Sequence, residues 1–201
     1  MVARTQAITD AELMPNQDFL NGHFLIAMPA LGDPNFHHAV TLICEHNSDG
    51  ALGIIINRPM DEIALGDVLD QLDLSDSDTA LRERTLFHGG PVERERGFVL
   101  HRPLGDWEAT LAINDELGIT SSRDILAAMA KNEGPAESMV ALGYAGWTAG
   151  QLEQELADNA WLSSPARADI LFDVAPSERW REAARAMGVD LSRLSGQSGH
   201  A

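Results

Sequence analysis

Short apolar runs separated by turn-forming residues fill the first part of the chain. Residues 23–29 (HFLIAMP), 39–46 (AVTLICEH) and 51–59 (ALGIIINRP) are rich in aliphatic and β-branched side chains, and each predicts a strand. Only the four residues 47–50 (NSDG) separate the second run from the third, which predicts a β-hairpin. The third run is apolar at nearly every position, so we expect its strand to be buried on both faces.

Helical spacing follows these runs and then gives way to strands again. Leucine and valine recur on one face of residues 64–72, which predicts a short amphipathic helix. The acidic stretch at residues 73–84 predicts a solvated loop. Residues 85–92 (TLFHGGPV) and 97–103 (GFVLHRP) indicate two strands around a glycine turn, and residues 109–115 indicate a further strand.

Helices and strands alternate in the last third of the chain. Residues 121–135 predict a serine-capped helix, and residues 137–146 (ESMVALGYAG) predict a buried strand. Residues 168–174 (ADILFDV) predict one more strand, and residues 176–188 predict a helix that begins at a proline. Because hairpins come first and helices interleave later, the pattern favours an α+β fold with a mixed, strongly curled sheet flanked by helices.

Length and periodicity predict one folded unit with two irregular ends. Residues 1–18 lack periodicity and predict a flexible arm, residues 19–190 predict a single α+β domain, and residues 191–201 form a tail without a local signal. No apolar run approaches the roughly 20 residues that a membrane-spanning helix needs. The start of the chain has no apolar signal core, so we expect no secretory signal.

The charge balance disfavours anionic partners. The chain carries 31 acidic and 14 basic side chains, a formal net charge of −17. Such an excess repels phosphate backbones and anionic membranes unless a local basic patch overrides it. The arginines of residues 82–96 alternate with glutamates and predict a charge-balanced surface. Direct nucleic-acid binding is therefore not expected.

Cysteine and histidine offer weak chemical signals. Cys44 is the single cysteine, which excludes an intrachain disulfide and favours a reducing compartment, the cytoplasm. Cys44 and His46 are predicted to share a strand face and could form a thiolate–base pair or bind a soft metal. The favoured interpretation is that Cys44 is a small buried hydrophobe and His46 flanks the turn. The adjacent His37 and His38 have no metal-ligand spacing, and we predict neither a metal nor a cofactor.

The stretch LGYAGWTAGQLEQELADNAWL, residues 142–162, places three glycines where a strand turns into a helix. Thr148 and Gln151 fit a capping box, and the helix would carry Leu152, Leu156 and Trp161 inward. The spacing matches neither phosphate-binding glycine fingerprint. A tight corner that lets helix and sheet pack closely is the favoured interpretation, and a ligand site at the corner is the alternative.

Three further motifs allow two interpretations each. Residues 88–92 (HGGPV) could form an anion-binding nest or a plain turn between strands. Asn57 and Arg58 could border a pocket or simply end their strand. Ser122 lies in no nucleophile elbow, and a helix cap explains it.

Taken together, these segments resemble the AlgH/YqgE family of bacterial proteins over nearly the whole chain from residue 23 onward. The resemblance is carried, in order, by HFLIAMPALGDPNF, VTLICEHNSDGALGIIINRP, GGPVERERGFVLH, TSSRDIL, ALGYAGWTAGQLEQELADNAWL, DILFDVAPSERWREAA and GHA. It implies a complex α+β fold with a pseudo-barrel sheet in the bacterial cytoplasm. It also implies a role as a transcriptional regulator, a name that family members received on genetic grounds linked to exopolysaccharide control.

The family has no established catalytic residues to carry over. Its defining segments fall on eleven candidate ligand-binding residues: Asn57, Gly89, Gly90, Pro91, Ser122, Arg123, Gly143, Gly146, Trp147, Gly150 and Gln151. The first functional hypothesis is a non-enzymatic regulatory protein that acts through a protein partner or a small ligand. The alternative is a protein or enzyme that binds an anionic metabolite at the GGP and GYAGW turns.

Overall fold

The computed structural model describes residues 19–74 and 78–191. The arm predicted over residues 1–18 lies outside these ranges, as does the tail predicted over residues 191–201 beyond its first residue. Within the described ranges the strands are β1 (His23–Ala27), β2 (Val40–Asn47), β3 (Gly50–Ile55), β4 (Pro59–Ala64), β5 (Thr85–His88), β6 (Val92–Arg102), β7 (Thr110–Ala112), β8 (Gly118–Thr120), β9 (Glu137–Thr148) and β10 (Trp161–Pro165). The helices are α1 (Leu65–Gln71), α2 (Thr79–Arg82), α3 (Arg123–Ala130), α4 (Gln151–Ala157), α5 (Ala168–Phe172) and α6 (Pro176–Ala186).

The strands form one strongly curled sheet in the order β10-β1-β2-β3-β9-β6-β8-β7, with β5 added against β9 and β4 against β5. The sheet is mixed because β5 runs parallel to β9, while the other pairs are antiparallel. The α+β fold with a curled, mixed sheet is therefore confirmed. The predicted hairpin is confirmed as well, since β2 and β3 pair directly with Asn47 opposite Gly50.

Strand β9 is the centre of the sheet and changes neighbours along one edge. Its residues Val140 to Leu142 pair with β5, whereas Ala145 to Thr148 pair with β3. Strand β6 lies along the opposite edge. Gly143 and Tyr144 stand at the switch, where the chain leaving β5 must pass close to the β9 backbone.

Three buried clusters fill the two faces of the sheet. One contains Leu42, Ile54 and Leu100 and packs against α5 and α6 through Leu171 and Ala184. On the opposite face, a second cluster around Trp147 and Trp161 packs against Leu152 of α4. A third cluster around Val99 and Val140 packs against Leu65 of α1 and Ile125 of α3. The candidate site described below opens into this third cluster.

Several local predictions were wrong because short segments take their structure from distant partners. Residues 168–174, predicted as a strand, contain the five-residue helix α5, in which the adjacent Ile170 and Leu171 are buried. The predicted loop at residues 73–84 contains the helix α2, capped by Asp78, and residues 75–77 lie outside the described residues. Trp161 lies in β10 and not on the preceding helix.

The strands on either side of the GGP turn do not pair with each other. Strands β5 and β6 both pair with β9, one parallel and one antiparallel. The predicted pair of strands around a glycine turn is confirmed as β5 and β6. The turn carries the chain from one edge of β9 to the other. Among the described residues, no helix combines the length and the apolar character that crossing a membrane requires.

Candidate functional site

The glycines of the GGP turn pack against the backbone of β9. The Gly89 N–H donates to Leu142 O at 2.8 Å, and its carbonyl accepts from the Ile55 N–H at 2.8 Å. A Cβ on Gly89 would lie 2.2 Å from Gly143 O, and one on Gly90 would lie 2.1 Å from the Tyr144 carbonyl carbon. Neither separation is possible between real atoms, so Gly89 and Gly90 permit the close passage of the chain beside β9, with Pro91 following them.

Gly143 completes the same contact from the other side. Its φ is +74°, which side chains rarely adopt, and a Cβ there would lie 2.6 Å from Gly90 O. The structure thus brings Gly89, Gly90 and Gly143 together as sequence analysis proposed for a common site. They meet backbone to backbone, however, and leave no cavity between them for a ligand.

The GYAGW corner is held by a half-buried carboxylate of the protein's own, that of Glu155. Glu155 accepts hydrogen bonds from the Trp147 indole at 2.9 Å, the Trp161 indole at 2.8 Å and the Gln151 amide at 2.9 Å. The capping box was placed two residues too early, because α4 begins after Gly150, whose φ of +76° makes it the N-cap. The Thr148 N–H does donate to Gln151 Oε1 at 3.0 Å, and the Thr148 hydroxyl donates there too.

Gly146 and Trp147 also border a shallow surface hollow of about 440 Å³ beside the hairpin. Glu45 and Asp49 line the same hollow, and it contains no cationic side chain among the described residues. Its charge therefore opposes an anionic metabolite at this end of the predicted site.

Asn57 and Arg58 act on the loop between β1 and β2. The Asn57 carboxamide accepts from the Val40 N–H at 2.9 Å and donates to His38 O at 2.9 Å. The Arg58 guanidinium donates to the carbonyls of Pro34 and His37 at 3.2 and 3.1 Å. Both side chains form their hydrogen bonds with this loop, which favours a structural role over a place at the rim of a pocket.

The prediction that Cys44 and His46 share one face of β2 was wrong, because the strand is irregular between Ile43 and Glu45. Cys44 belongs to the cluster that packs against α5 and α6, whereas His46 faces α4 on the other side of the sheet. The Cys44 thiol is 2% exposed, and burial raises its pKa above the usual range, which disfavours the reactive thiolate. His46 accepts from the Leu20 N–H at 3.1 Å and lies 3.1 Å from Glu153 Oε1. Among the residues that the structure describes, no three His, Cys, Asp or Glu side chains come together to hold a metal ion.

Ser122 and Arg123 begin α3 and lead to a different place. The Ser122 hydroxyl is engaged with Glu108 O and with Asp124 Oδ1, and it does not cap the helix N–H groups. The Arg123 guanidinium donates to Leu72 O just beyond α1 and so ties the two helices together. Of the predicted residues, these two line a substantial cavity on the sheet.

This cavity is a groove of about 730 Å³ between α1, α3 and the sheet. We call it the α1–α3 groove. Its floor is the face of the central strands that carries Gly97, Val99, Val140 and Leu142. Its walls and ends are Ile63, Asp67, Val68, Gln71, Leu72, Arg94, Glu95, Thr120, Ser121, Ser122, Arg123 and Leu126. The apolar side chains that the groove presents to solvent are the half-buried ones packed around the third core cluster, namely Ile63, Val68, Leu72 and Leu142.

Gly97 is the feature that keeps the floor open. A Cβ there would meet only Leu142 Cδ2, at 4.0 Å, and the Gly97 φ is not in the left-handed region. Neither backbone geometry nor packing therefore requires glycine at this strand position. A glycine of this kind inside a strand is expected where another chain or ligand approaches closely.

The rim of the groove carries both signs of charge. Beside Gly97, residues 93–96 of β6 bulge away from β9 and stand opposite Gly143 alone. Arg94 and Glu95 lie in this bulge, and neither forms an ion pair among the described residues, whereas Arg96 pairs with Glu93 at 3.1 Å. Asp67 on α1 adds a carboxylate whose Oδ2 accepts from the Ala64 N–H at 2.8 Å. The groove thus combines an apolar floor with a rim of mixed charge.

Sequence analysis missed most of this site. It assigned Arg94 to a charge-balanced surface and Gly97 to the start of a strand, and it gave neither a functional role. The signal that could have found the groove is the glycine itself, which stands between an alternating charge run and an apolar run within one strand. The convergence of α1, α3 and β6 rests on contacts between residues far apart in sequence and has no local signature.

Comparison with known proteins gives a consistent result. A family model described as AlgH-like, DUF179, matches residues 24–192. UPF0301 proteins of Nitrosococcus oceani and Thioalkalivibrio sulfidiphilus are each 56% identical, over 94% and 92% of this chain and 100% and 98% of their own lengths.

Solved structures agree with these relatives. The solution structure of the AlgH protein from Pseudomonas aeruginosa has a TM-score of 0.76 and 47% identity, over 94% of this chain and 99% of that one. A crystal structure of protein DIP2367 from Corynebacterium diphtheriae, 20% identical with a TM-score of 0.69, covers 90% of this chain and 94% of its own, and it shares the fold.

Proposed function

The chain belongs to the AlgH-like family, and from that premise we propose that it is a non-enzymatic regulatory protein that binds an extended segment of a partner protein in the α1–α3 groove. The observation that carries the proposal is the open floor at Gly97. All other contacts in the groove are consistent with a surface that receives a side chain and performs no reaction on it.

The groove defines the chemistry of the segment. An aliphatic side chain opposite Gly97 would cover the half-buried Val68 and Leu142, at about 25 cal/mol for each Å² of apolar surface removed from water. An acidic residue of the segment would face Arg94, and a basic residue would face Glu95. Charge pairs at such a rim set specificity and association rate more than affinity.

An enzyme or an anionic-metabolite site at the glycine turns has less support. The GGP turn is filled by the backbone of β9, and the hollow beside Trp147 is acidic. A net charge of −17 also disfavours a direct regulator of DNA. We place the protein in the cytoplasm, because its single cysteine is a buried free thiol that needs no oxidising compartment.

A selection of displayed peptides on the immobilised protein tests the proposal. Peptides of the stated character should be enriched, and Gly97→Val should weaken their binding at least tenfold because its side chain fills the floor. Gly32→Val is the matched control, since a Cβ at Gly32 would contact nothing within 4 Å. Melting curves of all three proteins verify that each is folded.

Two outcomes contradict the proposal. One is a selection that enriches no peptide above background. The other is a set of peptides that bind wild type and Gly97→Val equally, because those peptides would occupy another surface.

A further inference from the structure

Arg179 is a buried cation without a carboxylate partner. It lies in the first turns of α6 and is only 4% exposed. Its Nε donates to Val174 O at 2.9 Å, and its Nη1 donates to Ile56 O and contacts Met139 Sδ at 3.5 Å. Within the described part of the chain, no Asp or Glu forms an ion pair with it.

The charge of Arg179 persists despite this burial. Desolvation lowers its pKa to about 10, so the guanidinium remains protonated at neutral pH. The Phe87 ring, 5.2 Å from the guanidinium carbon, offers a cation–π contact. Buried charges in proteins are normally paired or bound to an ion, because an unpaired charge is costly to remove from water. Arg179 thus lacks the counter-ion that its position calls for.

One face of the guanidinium is available to a ligand. Nη2 of Arg179 has no hydrogen-bond partner among the described residues. Among the described residues, Thr41 Oγ1 is the only side-chain nitrogen or oxygen that is both fully buried and without a hydrogen-bond partner. Because Nη2 of Arg179 also lacks a partner, it must keep some contact with solvent. Arg179 lines a cavity of about 330 Å³ between β5, β9 and the start of α6.

Other groups around this cavity also favour an anion. Arg84 lines it, and its Nη1 donates to the Ser138 hydroxyl at 2.9 Å, which leaves the hydroxyl proton free to donate. Ala175 and Pro176, which begin α6, lie on the same wall. The N-cap residue Ala175 has no side-chain acceptor, Pro176 has no N–H, and the Glu178 N–H donates to Ala175 O at 2.9 Å. This eleven-residue helix therefore contributes mainly the positive end of its dipole.

We propose that this cavity binds an oxyanion, the phosphate, sulfate or carboxylate group of a small ligand, between the Arg179 guanidinium, Arg84, Ser138 and the N-terminus of α6. The guanidinium fork matches the planar or tetrahedral oxygens of such groups. Asp173 is the one carboxylate among the described residues that line the cavity, and its exposed position limits its repulsion.

Thermal unfolding in increasing inorganic phosphate, sulfate or acetate tests the site, with sodium chloride holding the ionic strength constant. A ligand that binds only the folded protein raises the melting temperature progressively once its concentration exceeds Kd. We expect at least one of the three oxyanions to raise it where chloride does not. The oxyanion that raises the melting temperature identifies which group, phosphate, sulfate or carboxylate, the cavity binds. The Arg179 Nε–H resonance should shift in the same titration, which a purely structural arginine would not show.

Variants localise the effect. Arg84→Gln is exposed and should fold normally, with oxyanion affinity reduced at least fivefold. Ser138→Ala should reduce affinity less, and Arg179→Gln should abolish the stabilisation if it folds. Arg181→Gln is the matched control, because Arg181 lies on the same helix, pairs with Glu178 and does not line the cavity.

The inference is overturned if none of the oxyanions stabilises the protein beyond chloride. It is also overturned if Arg84→Gln and Ser138→Ala bind the oxyanion as tightly as wild type, or if the control Arg181→Gln weakens binding as much as Arg84→Gln does.

Discussion

Two places along β9 and its neighbours contain glycine inside or beside a strand, and they differ in what surrounds the missing side chain. Where Gly89 and Gly90 pass Gly143, an added Cβ would fall within 2.6 Å of backbone atoms. At Gly97, on the neighbouring β6, an added Cβ would meet a single leucine methyl at 4.0 Å. The first set of glycines is required by the fold, whereas the second glycine is not.

Glycines in and beside the strands of this sheet therefore serve two different roles, one structural and one functional. Glycines at a close backbone passage let β9 exchange β5 for β3 along one edge, and replacing them should damage folding. Gly97, in the apolar floor of the groove, lowers stability because glycine raises the conformational entropy of the unfolded chain. No contact within the folded chain requires a glycine there. We therefore infer that Gly97 serves the binding of a partner segment in the α1–α3 groove.

The largest expected effect is on stability at the glycine contact. Gly143→Ala should lower the free energy of unfolding by about 3 kcal/mol or more, because it combines a left-handed backbone with a clash against the Gly90 carbonyl. Gly97→Ala, its matched control, should change stability by less than about 1 kcal/mol or raise it slightly. Urea denaturation measures both, and equal losses in the two variants would break the comparison.

The corner at Trp147 should respond next most strongly. Glu155→Ala removes the acceptor of two indole N–H groups and one amide, and we expect a loss of about 2–3 kcal/mol. Glu155→Gln keeps the shape and one oxygen, so it should lose less. Tryptophan fluorescence during unfolding reports the transition. A neutral Glu155→Ala would mean that the carboxylate serves something other than the corner.

Acidification should weaken the polar network at the end of the groove. His101 is fully buried, its Nε2 lies 2.9 Å from the Thr120 hydroxyl, and its Nδ1 faces Pro103 O at 3.1 Å. Burial lowers its pKa, with the bond to Pro103 opposing the shift. The stability that neutral His101 provides is therefore present above the unfolded pKa of about 6.5 and lost as pH falls from there toward the folded pKa.

The difference in unfolding free energy between wild type and His101→Gln isolates this residue, because every other titratable group is common to both proteins. The difference should shrink between about pH 8 and pH 5.5, at about 1.4 kcal/mol for each unit of pKa shift. A difference that stays constant, or grows on acidification, would show that the sign is wrong.

The smallest effect concerns the rim charges. Reversing both charges, Arg94→Glu with Glu95→Arg, should weaken a groove-binding peptide by less than about tenfold and leave stability unchanged, because exposed pairs contribute 0.2–1 kcal/mol each. The weakening should vanish at high salt, which screens surface charges. Isothermal titration at two salt concentrations measures it. An effect that is insensitive to salt would indicate that the bulge at residues 93–96 had been deformed.

Sequence reasoning succeeded where structure is local and failed where it depends on distant contacts. The hairpin of β2 and β3 and the helices α3 and α6 carry their own turn, cap or periodicity signals. The run at residues 168–174 is short and apolar, and such a run does not distinguish a strand from a buried helix. Strand β10 was missed because its partner, β1, lies more than a hundred residues earlier.

The candidate site shows the same contrast between local signals and distant contacts. The glycines of residues 89–90 and 143 were recognised, and their proximity was proposed, but whether they enclose a cavity depends on backbone separations that no sequence pattern carries. Arg179 received only a place in the helix predicted over residues 176–188, since nothing local shows that it is buried without a carboxylate partner. Gly97 was visible in the sequence, yet the open space above it belongs to two helices elsewhere in the chain.

Amide chemical shifts of the ¹⁵N-labelled protein, titrated with a selected peptide, test the central claim most directly. The account predicts perturbed amides along α1, along residues 94–99 of β6 and at the start of α3, with the amides of Gly89, Gly90 and Gly143 unmoved. Perturbation centred on the glycine contact, with the α1–α3 groove silent, would contradict it.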